Sequence, residues 1–332
     1  MANWKDKFLS SSVPLEFDTA KVLVEKGFSA SFDYSYQRYD NKDQKEFSVD
    51  IEALSWYPFS PANNVDAEIK LLVECKYRNP SVKWVFIPDM NQEEFKNLSG
   101  PGIMVIDEFT DLHINREYLD FETCLKGVEI NVQTGEVHDT DIRHGVYQLM
   151  YAMPIILNDH IRGALAGPKS DSKPSFFCLI LVTTAELYCL KQDFTIQNLQ
   201  KTKEIEELTI KLPYLILNTS RPPSFQQHCE NVFNNIISSH NHARFQEFQS
   251  LREKETNNIN WEKIDINSLH LVSNPSVLIN PLSMGLNDCY HNIIICNSKN
   301  FPQLLDTIKE KIQTMCKGWK KVKGINSKVK NQ

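Results

Sequence analysis

The feature that most constrains the fold is one apolar run at residues 69–78, Ile-Lys-Leu-Leu-Val-Glu-Cys-Lys-Tyr-Arg. It contains no glycine or proline and is followed by Asn79-Pro80, a pattern typical of a strand that ends at a turn. Side chains alternate between the two faces of a strand, so Glu74 and Lys76 should point the same way. A carboxylate and an ammonium on an interior strand are costly to bury unless they pair or bind something. The strand therefore carries either a structural ion pair or part of a site.

A second predicted strand lies upstream at residues 46–54, and Asp50 and Glu52 share one of its faces. Residues 55–64 hold two prolines and an Asn pair, which predicts a loop between the strands. Antiparallel pairing across this loop would bring Asp50 beside Glu74. Two carboxylates and a lysine in one place suit a hard divalent cation such as Mg²⁺.

A third acid lies on a predicted helix at residues 11–27, which has serines at its start, Pro14 in its first turn and a glycine at its end. Glu16 lies four and seven residues before Ala20 and Leu23, so these three residues share one largely apolar face. Glu16 is therefore either a residue of the site or a first-turn glutamate favoured by the helix dipole.

Together, Glu16 on a helix, Asp50 on a strand and Glu74-Cys75-Lys76 on the next strand resemble the restriction-endonuclease-like superfamily, whose motif is written PD-(D/E)xK. The resemblance covers roughly residues 12–90 and extends more weakly to about residue 185. The chain departs from the motif in two ways: Val49 stands where the motif has proline, and the gap before Glu74 is long.

The resemblance implies an α/β fold, in which a mixed central β-sheet is flanked by helices. Residues 1–190 would form the nuclease-like core. Residues 191–332 are expected to form an α/β C-terminal extension, either as a separate domain or as an elaboration of the first sheet. The implied function is a Mg²⁺-dependent nuclease, with Mn²⁺ as a substitute, that cleaves nucleic acid and most plausibly DNA. An endonuclease is favoured over an exonuclease, with a place in host defence or restriction. A homodimer or a partner protein is a further implication.

The implied site has four catalytic residues and a metal set. Asp50 and Glu74 would coordinate the metal together with the carbonyl of Cys75. Glu16 would act as a ligand either directly or through water. Lys76 would orient the attacking water or stabilise the transition state.

Two further residues are supporting candidates. Glu52 shares the face of Asp50 and is either an auxiliary ligand or a solvated strand residue. Gln148 lies on a predicted helix at residues 141–165, three residues before Tyr151. Some nuclease lineages of the superfamily use a Gln and a Tyr on such a helix, although here they are one residue closer than expected. The alternative for Gln148 is an ordinary polar group on a helix surface.

The C-terminal end is locally basic although the net charge of the chain is −6. Residues 309–332 hold eight lysines and a single acid, and a tryptophan lies among them. Such a tail is either a nucleic-acid-binding arm, with lysines for phosphates and a ring for stacking, or a solvated terminus. The candidate contacts in this tail are Lys317, Trp319, Lys320, Lys321 and Lys323.

The remaining pattern predicts further strands and two long helices. The strands are at residues 83–88, 103–106, 176–183, 186–190, 213–217, 276–280 and 292–296, with 186–190 pairing back on 176–183; the helices are at residues 224–254 and 301–315. Residues 163–170 imitate a phosphate-binding loop, but the glycine spacing is wrong and the segment follows a helix. No nucleotide cofactor is therefore predicted.

Composition and motifs exclude several other classes. The longest apolar run, residues 176–182, is too short to cross a bilayer, and the N-terminus lacks an apolar signal core. Eight scattered cysteines fit reduced thiols, so a cytoplasmic location is expected. Zinc, serine-hydrolase and dinucleotide motifs are absent from the sequence. The alternatives to a nuclease are a catalytically inactive nuclease-fold binding or scaffold protein, and an α/β protein whose Glu74–Lys76 pair is structural and binds no divalent metal.

Overall fold

The computed structural model describes residues 4–40, 43–59, 66–91, 102–106, 112–114, 117, 119–166, 173–238, 292–318 and 320–321. The helices are α1 (Trp4–Ser10), α2 (Val13–Glu25), α3 (Thr140–Ala166), α4 (Ile196–Lys201), α5 (Pro223–Ser238) and α6 (Phe301–Lys317). The strands are β1 (Ser29–Asp40), β2 (Asp43–Tyr57), β3 (Ala67–Lys76), β4 (Val82–Pro88), β5 (Met104–Ile106), β6 (Leu112–His113), β7 (Thr123–Asn131), β8 (Val137–His138), β9 (Ser175–Thr183), β10 (Glu186–Leu190), β11 (Thr209–Leu212), β12 (Tyr214–Asn218), β13 (Asn292–Asn297) and β14 (Lys320–Lys321).

Twelve of these strands form one mixed sheet in the order β1-β2-β3-β9-β13-β12-β7-β4-β10-β11, with β5 paired to β9 and β8 paired to β7. The strands β1, β2 and β3 are antiparallel neighbours, whereas β3, β9 and β13 run parallel to one another. The prediction of an α/β protein with a mixed central sheet and flanking helices is confirmed.

Helices cover both faces of the sheet. On one face α3 packs against β3 and β9 and is itself covered in part by α5, while on the other face α2 packs against β1, β2 and β3 and contacts α6. The central strand β9 is buried along all nine of its residues. This explains its continuous apolar sequence, because a strand covered on both faces has no solvent-facing side.

The antiparallel pairing of β2 with β3, predicted from the intervening loop, is present. Ile51 lies opposite Val73, and Tyr57 lies opposite Ala67. Extending this register by one position places Asp50 next to Glu74. The apolar partners on the other face of both strands fix this register, because a slip by one residue would turn them towards the polar face.

The predicted pairing of residues 186–190 with 176–183 is wrong. The chain does not reverse after β9: β10 runs parallel to β4 and antiparallel to β11. The hydroxyl of Thr184 donates to the carbonyl of Arg78 at 2.8 Å and accepts the Arg78 N–H at 2.6 Å. These bonds hold the β9–β10 connection alongside the β3–β4 connection, so the two segments continue together in one direction.

Strands from the C-terminal part belong to the same sheet. The strand predicted at residues 292–296 is β13, which lies between β9 and β12. The predicted helix at residues 301–315 is α6, and the predicted helix at 224–254 is described as α5 as far as Ser238. The strand predicted at residues 276–280 lies outside the described residues.

Two general properties follow from the described residues. None of the helices among them is both long enough and apolar enough to cross a membrane. Seven of the eight cysteines lie in this part of the chain, and all seven are buried and free of disulfides.

Candidate metal centre

Asp50 and Glu74 lie side by side at the end of the β2–β3 pair. The backbone N–H of Cys75 donates to Asp50 Oδ2 at 2.6 Å, which fixes the Asp50 carboxylate against β3. The N–H of Asp50 makes a longer contact, 3.4 Å, with Glu74 Oε2. Glu74 is completely buried. The two acids predicted to converge are therefore adjacent in the fold.

Lys76 lies on the same side of β3 as Glu74. Its ammonium donates to Glu74 Oε1 at 2.6 Å and to Gln148 Oε1 at 3.2 Å. The amide nitrogen of Gln148 donates in turn to the carbonyl of Ser48 at 2.9 Å. Gln148 on α3 thus joins the lysine to strand β2, and the structure brings this supporting candidate into the same cluster.

Glu16 lies on α2, which packs on one face of the sheet, and the charges of Asp50 and Lys76 act on it. Ser12 precedes this helix with a φ of 65° and makes no side-chain cap to it. Its hydroxyl instead accepts the N–H of Tyr77 at 3.2 Å, so the start of α2 is attached to the end of β3. Burial raises the pKa of Glu16 above its ordinary value, and the negative charge of Asp50 raises it further.

The acids of this cluster hold their protons more tightly than free carboxyl groups. Burial raises the pKa of Glu74 to about 8, and the charge of Asp50 acts in the same direction, while Lys76 opposes the shift. Burial also raises the pKa of Asp50, although the Cys75 N–H and Lys76 oppose it. Burial is the largest cause of each of these shifts, so the site disfavours uncompensated carboxylate charge, and a proton or a bound cation would relieve that cost.

Asp33 belongs to this acidic neighbourhood and was not predicted. It interrupts β1 with a φ of 56°, and it lies opposite Asp50 because Phe32 pairs with Ile51 and Tyr34 with Val49. Its charge raises the pKa of both Asp50 and Glu16. Aspartate tolerates this left-handed backbone better than most residues. An aspartate inside a strand-like segment was the available signal, since strands are depleted of this residue.

His144 was also missed. It lies on α3 four residues before Gln148, so the two side chains neighbour one another on the helix surface. Partial burial lowers the pKa of His144, and the charge of Lys76 lowers it further, whereas Asp50 raises it. The spacing to Gln148 would have been enough to select this histidine as a candidate.

A glycine allows α3 to approach the site. A Cβ atom at Gly145 would lie 2.8 Å from Leu181 Cδ1 and 3.4 Å from Glu74 Cγ. The first of these distances is shorter than real contacts of this kind. The absence of a side chain at this position is what lets the first turns of the helix lie directly over Glu74.

Other predicted site residues lie elsewhere. Glu52 lies opposite Leu72, two positions along β2, and the charges that act on it are those of Lys70, Glu68 and Asp159. Lys317 is exposed at the end of α6, and the backbone of Lys320 and Lys321 forms β14, which pairs with β6. Trp319 and Lys323 lie outside the described residues.

A second cluster of potential ligands lies near the start of α3. Side-chain atoms of Glu129, His138 and Asp141 all come within 4.8 Å of one another. Arg78 already engages this group, because its Nε lies 2.7 Å from Glu129 Oε2 and its guanidinium also pairs with Asp141. A resident guanidinium supplies a positive charge where a metal would otherwise do so. The cluster could hold a metal, and in both places a cationic side chain is already present, Arg78 here and Lys76 beside Glu74.

Comparison with models of known protein families, with curated proteins and with solved structures finds no match to this chain. The function must therefore be argued from the site itself.

Proposed function

We propose that this protein is a Mg²⁺-dependent nuclease built on a restriction-endonuclease-like core. The observation that carries the proposal is the convergence of Asp50, Glu74 and Lys76 at one end of two paired strands, with Glu16 approaching from α2. Two acids and a lysine on adjacent strands, preceded by a helix acid, are the arrangement that the sequence resemblance implies. The proposal therefore rests on the side chains that meet at this site and not on the fold alone.

The donor set suits a hard divalent cation. Within the described part of the chain no hydrogen bond reaches Asp50 Oδ1, while Oδ2 is held by Cys75. Asp50, Glu74 and the Cys75 carbonyl would be direct ligands. Glu16 would act either directly or through water; among the described residues, the carboxylates of Glu16, Asp50 and Glu74 do not all lie within 4.8 Å of one another. A bound Mg²⁺ or Mn²⁺ would lower the pKa of a bound water and offset charge that develops on the phosphate.

The protein's own residues would position the reactants. Lys76 is held between Glu74 and Gln148, so its ammonium is already ordered. An ordered ammonium can donate to the attacking water or to a non-bridging phosphate oxygen, and it stabilises the charge of the transition state without further reorganisation. Gln148 is a positioning residue here, since it acts on the reaction through Lys76.

The substrate proposed is DNA, cut internally, in a host-defence or restriction setting. The alternative is an inactive protein of the same fold that binds nucleic acid or a protein partner. That alternative predicts nucleic-acid binding without cleavage. A third class, in which the Glu74–Lys76 pair is purely structural, predicts that no divalent metal binds at this site.

The test is a calorimetric titration of Mn²⁺ and Mg²⁺, followed by cleavage assays on plasmid, single-stranded DNA and RNA. Asp50→Asn keeps an oxygen for the Cys75 N–H but removes the charge, so metal affinity at this site should fall by at least tenfold. His138→Gln is the matched control, because it alters only the second cluster. Lys76→Met should leave metal binding in place and lower cleavage by about 10²-fold or more.

The outcomes separate the alternatives. Metal binding that is lost in His138→Gln and kept in Asp50→Asn would place the metal at the Glu129–His138–Asp141 cluster and refute the proposal. Equal cleavage by the parent and Lys76→Met would refute the role of the lysine. Metal binding at Asp50 without cleavage of any of the three substrates would support the inactive binding protein.

A further inference from the structure

A cleft of about 930 Å³ lies over strands β4 and β7, on the face of the sheet opposite to α3. Its floor consists of three cross-strand pairs, namely Lys83–Ile130, Val85–Val128 and Ile87–Lys126. The residues between them on β4, Trp84 and Phe86, point the other way and belong to the core beneath α3. The two faces of β4 therefore serve different purposes, and only one of them is filled by a helix of the core.

The segment that follows β10 forms the second wall of the cleft. Four of its apolar side chains line the space: Phe194, Leu199, Ile205 and Leu208. Two hydrogen bonds fix this segment to β10. The N–H of Lys191 donates to the carbonyl of Leu208 at 3.0 Å, and the hydroxyl of Tyr188 donates to Glu206 Oε1 at 3.1 Å. The cleft is thus a concave space between two attached walls.

The apolar interior of the cleft belongs to neither hydrophobic core of the described residues. Val85, Val128 and Ile130 are absent from both core clusters. Val85 is only 5% exposed, whereas Ile87 and Leu199 are 37% and 53% exposed, so the space runs from a closed floor to an open mouth. Its volume and its mainly apolar lining are those of a small-molecule pocket. The body of a ligand that fits it is therefore apolar.

Most of the charged side chains that line the cleft already have partners within the protein. Besides Glu206, which accepts from Tyr188, these are Lys83 and Glu204. Lys83 pairs with Glu186, and Glu204 forms a capping box with Glu207. These groups keep their partners when the cleft is empty, so they do not require a charged ligand.

Two further lysines, Lys126 and Lys203, also line the cleft. Within the described part of the chain, no hydrogen bond or ion pair reaches the ammonium group of either residue. Lys126 lies directly across from Ile87 at one end of the floor. Unpaired ammonium groups beside an apolar surface are complementary to a ligand that has an apolar body and an anionic end.

We propose that this cleft binds a free long-chain carboxylate. The hydrocarbon chain would lie along Val85, Val128 and Ile130, and the carboxylate would pair with Lys126 and Lys203. A concave space between two walls accepts a single molecule and not the surface of a bilayer. The proposal goes beyond the proposed nuclease activity, because the cleft lies on the opposite face of the sheet from α3, which covers Glu74.

The experiment is a calorimetric titration of the full chain with decanoate, below its micelle concentration, and with decan-1-ol as an uncharged ligand of the same chain length. We expect decanoate to bind at one site and more tightly than decan-1-ol. Lys126→Met should raise the dissociation constant of decanoate by about threefold or more and leave that of decan-1-ol unchanged. Leu199→Glu should raise both constants by about tenfold or more, because it places a charge in the apolar wall.

Each variant has a matched control outside the cleft. Lys201→Met removes the charge of another exposed lysine, on α4, and Ile210→Glu changes an apolar side chain that is exposed to a similar extent as Leu199. Both controls should bind the two ligands as the parent does. Circular dichroism of every variant verifies that the fold is retained.

Four results would overturn the proposal. The first is a parent without saturable binding of decanoate. The second is equal affinity for decanoate and decan-1-ol, which would remove the role of the lysines. The third is an unchanged affinity in Leu199→Glu, which would place the ligand elsewhere. The fourth is flotation with vesicles of an anionic phospholipid that requires Lys126 while decanoate does not bind, which would assign the lysines to a membrane surface. None of these results depends on metal binding or on cleavage of nucleic acid.

Discussion

Glu74 has the most unfavourable surroundings for a charge in the candidate metal centre. It is completely buried, and Asp50 lies next to it. Lys76 contacts it at 2.6 Å but does not reverse the net effect of burial, which raises the pKa of Glu74 to about 8. A carboxyl group in this state favours either a proton or a cation, and a metal ion would replace the proton.

The raised pKa predicts how stability depends on pH in the absence of metal. Between about pH 4.5 and about pH 8 the unfolded chain has released the proton of Glu74 while the folded protein retains it, so stability should fall as pH rises through this window. Glu74→Gln cannot ionise and should show a smaller loss between about pH 5 and about pH 8, by roughly 1–3 kcal/mol. Urea unfolding at a series of pH values measures the difference.

A matched control for this prediction is Glu25→Gln, which changes an exposed carboxyl on α2. It should leave the pH dependence of the parent unchanged. If Glu74→Gln has the same pH dependence as the parent, Lys76 keeps Glu74 ionised in the folded state, and burial is not the dominant effect.

At the residue scale, the sequence was sufficient to predict which side chains are neighbours when this follows from the alternation of side chains along paired strands. Asp50, Glu74 and Lys76 were selected because two strands and one loop place them together. Asp33 was not selected, because its position depends on a left-handed backbone at one residue, which no periodic pattern indicates. Whether these residues bind metal stays a prediction.

At the scale of elements, the site depends on how closely α3 approaches the sheet. Gly145 lies where this helix crosses Glu74 and Leu181. Gly163 lies on the same helix, and no described atom comes within 4 Å of a Cβ placed there. Helix propensity favours alanine over glycine at both positions, whereas packing opposes alanine only at Gly145. Substitutions at the two positions can therefore distinguish the two effects.

We predict opposite effects of alanine at these two positions. Gly163→Ala should stabilise the protein by up to about 1 kcal/mol, because alanine forms helices better than glycine. Gly145→Ala should destabilise it by about 1–3 kcal/mol, because the buried Leu181 cannot move aside freely. Thermal unfolding of the two variants provides the comparison. A stabilised Gly145→Ala variant would show that α3 can move away from the sheet at no cost.

The positions of most strands and helices along the chain could be predicted from the sequence, but which strands pair in the sheet was harder to predict. Apolar runs and their turns located β2, β3, β9, β13 and α6. The predicted pairing of β10 was wrong, because the short bend at residues 184–185 resembles a hairpin turn. Two hydrogen bonds between Thr184 and Arg78 instead keep β10 running in the same direction as β9. Those bonds join residues 106 positions apart, and short-range patterns contain no information about them.

At the scale of the whole molecule, the N-terminal and C-terminal parts share one sheet. Strand β13, from near the end of the chain, lies directly between β9 and β12. Helix α6 follows it and buries seven side chains on the same face as α2. The sequence left open whether the part after residue 190 is a separate domain, and β10, which ends at residue 190, pairs with β11 beyond it.

This topology predicts that residues 1–190 do not fold alone. Without β13, strand β9 would expose a hydrogen-bonding edge at the centre of the sheet, and the core beneath α6 would be open to water. The fragment should aggregate or show no cooperative unfolding by size-exclusion chromatography and circular dichroism. Co-expression with residues 191–332 should restore a folded complex, since strands β11, β12 and β13 of the second piece lie among and beside those of the first in one sheet. A soluble 1–190 fragment with a cooperative transition would instead establish that the nuclease-like core is an independent domain and that β13 is an addition to it.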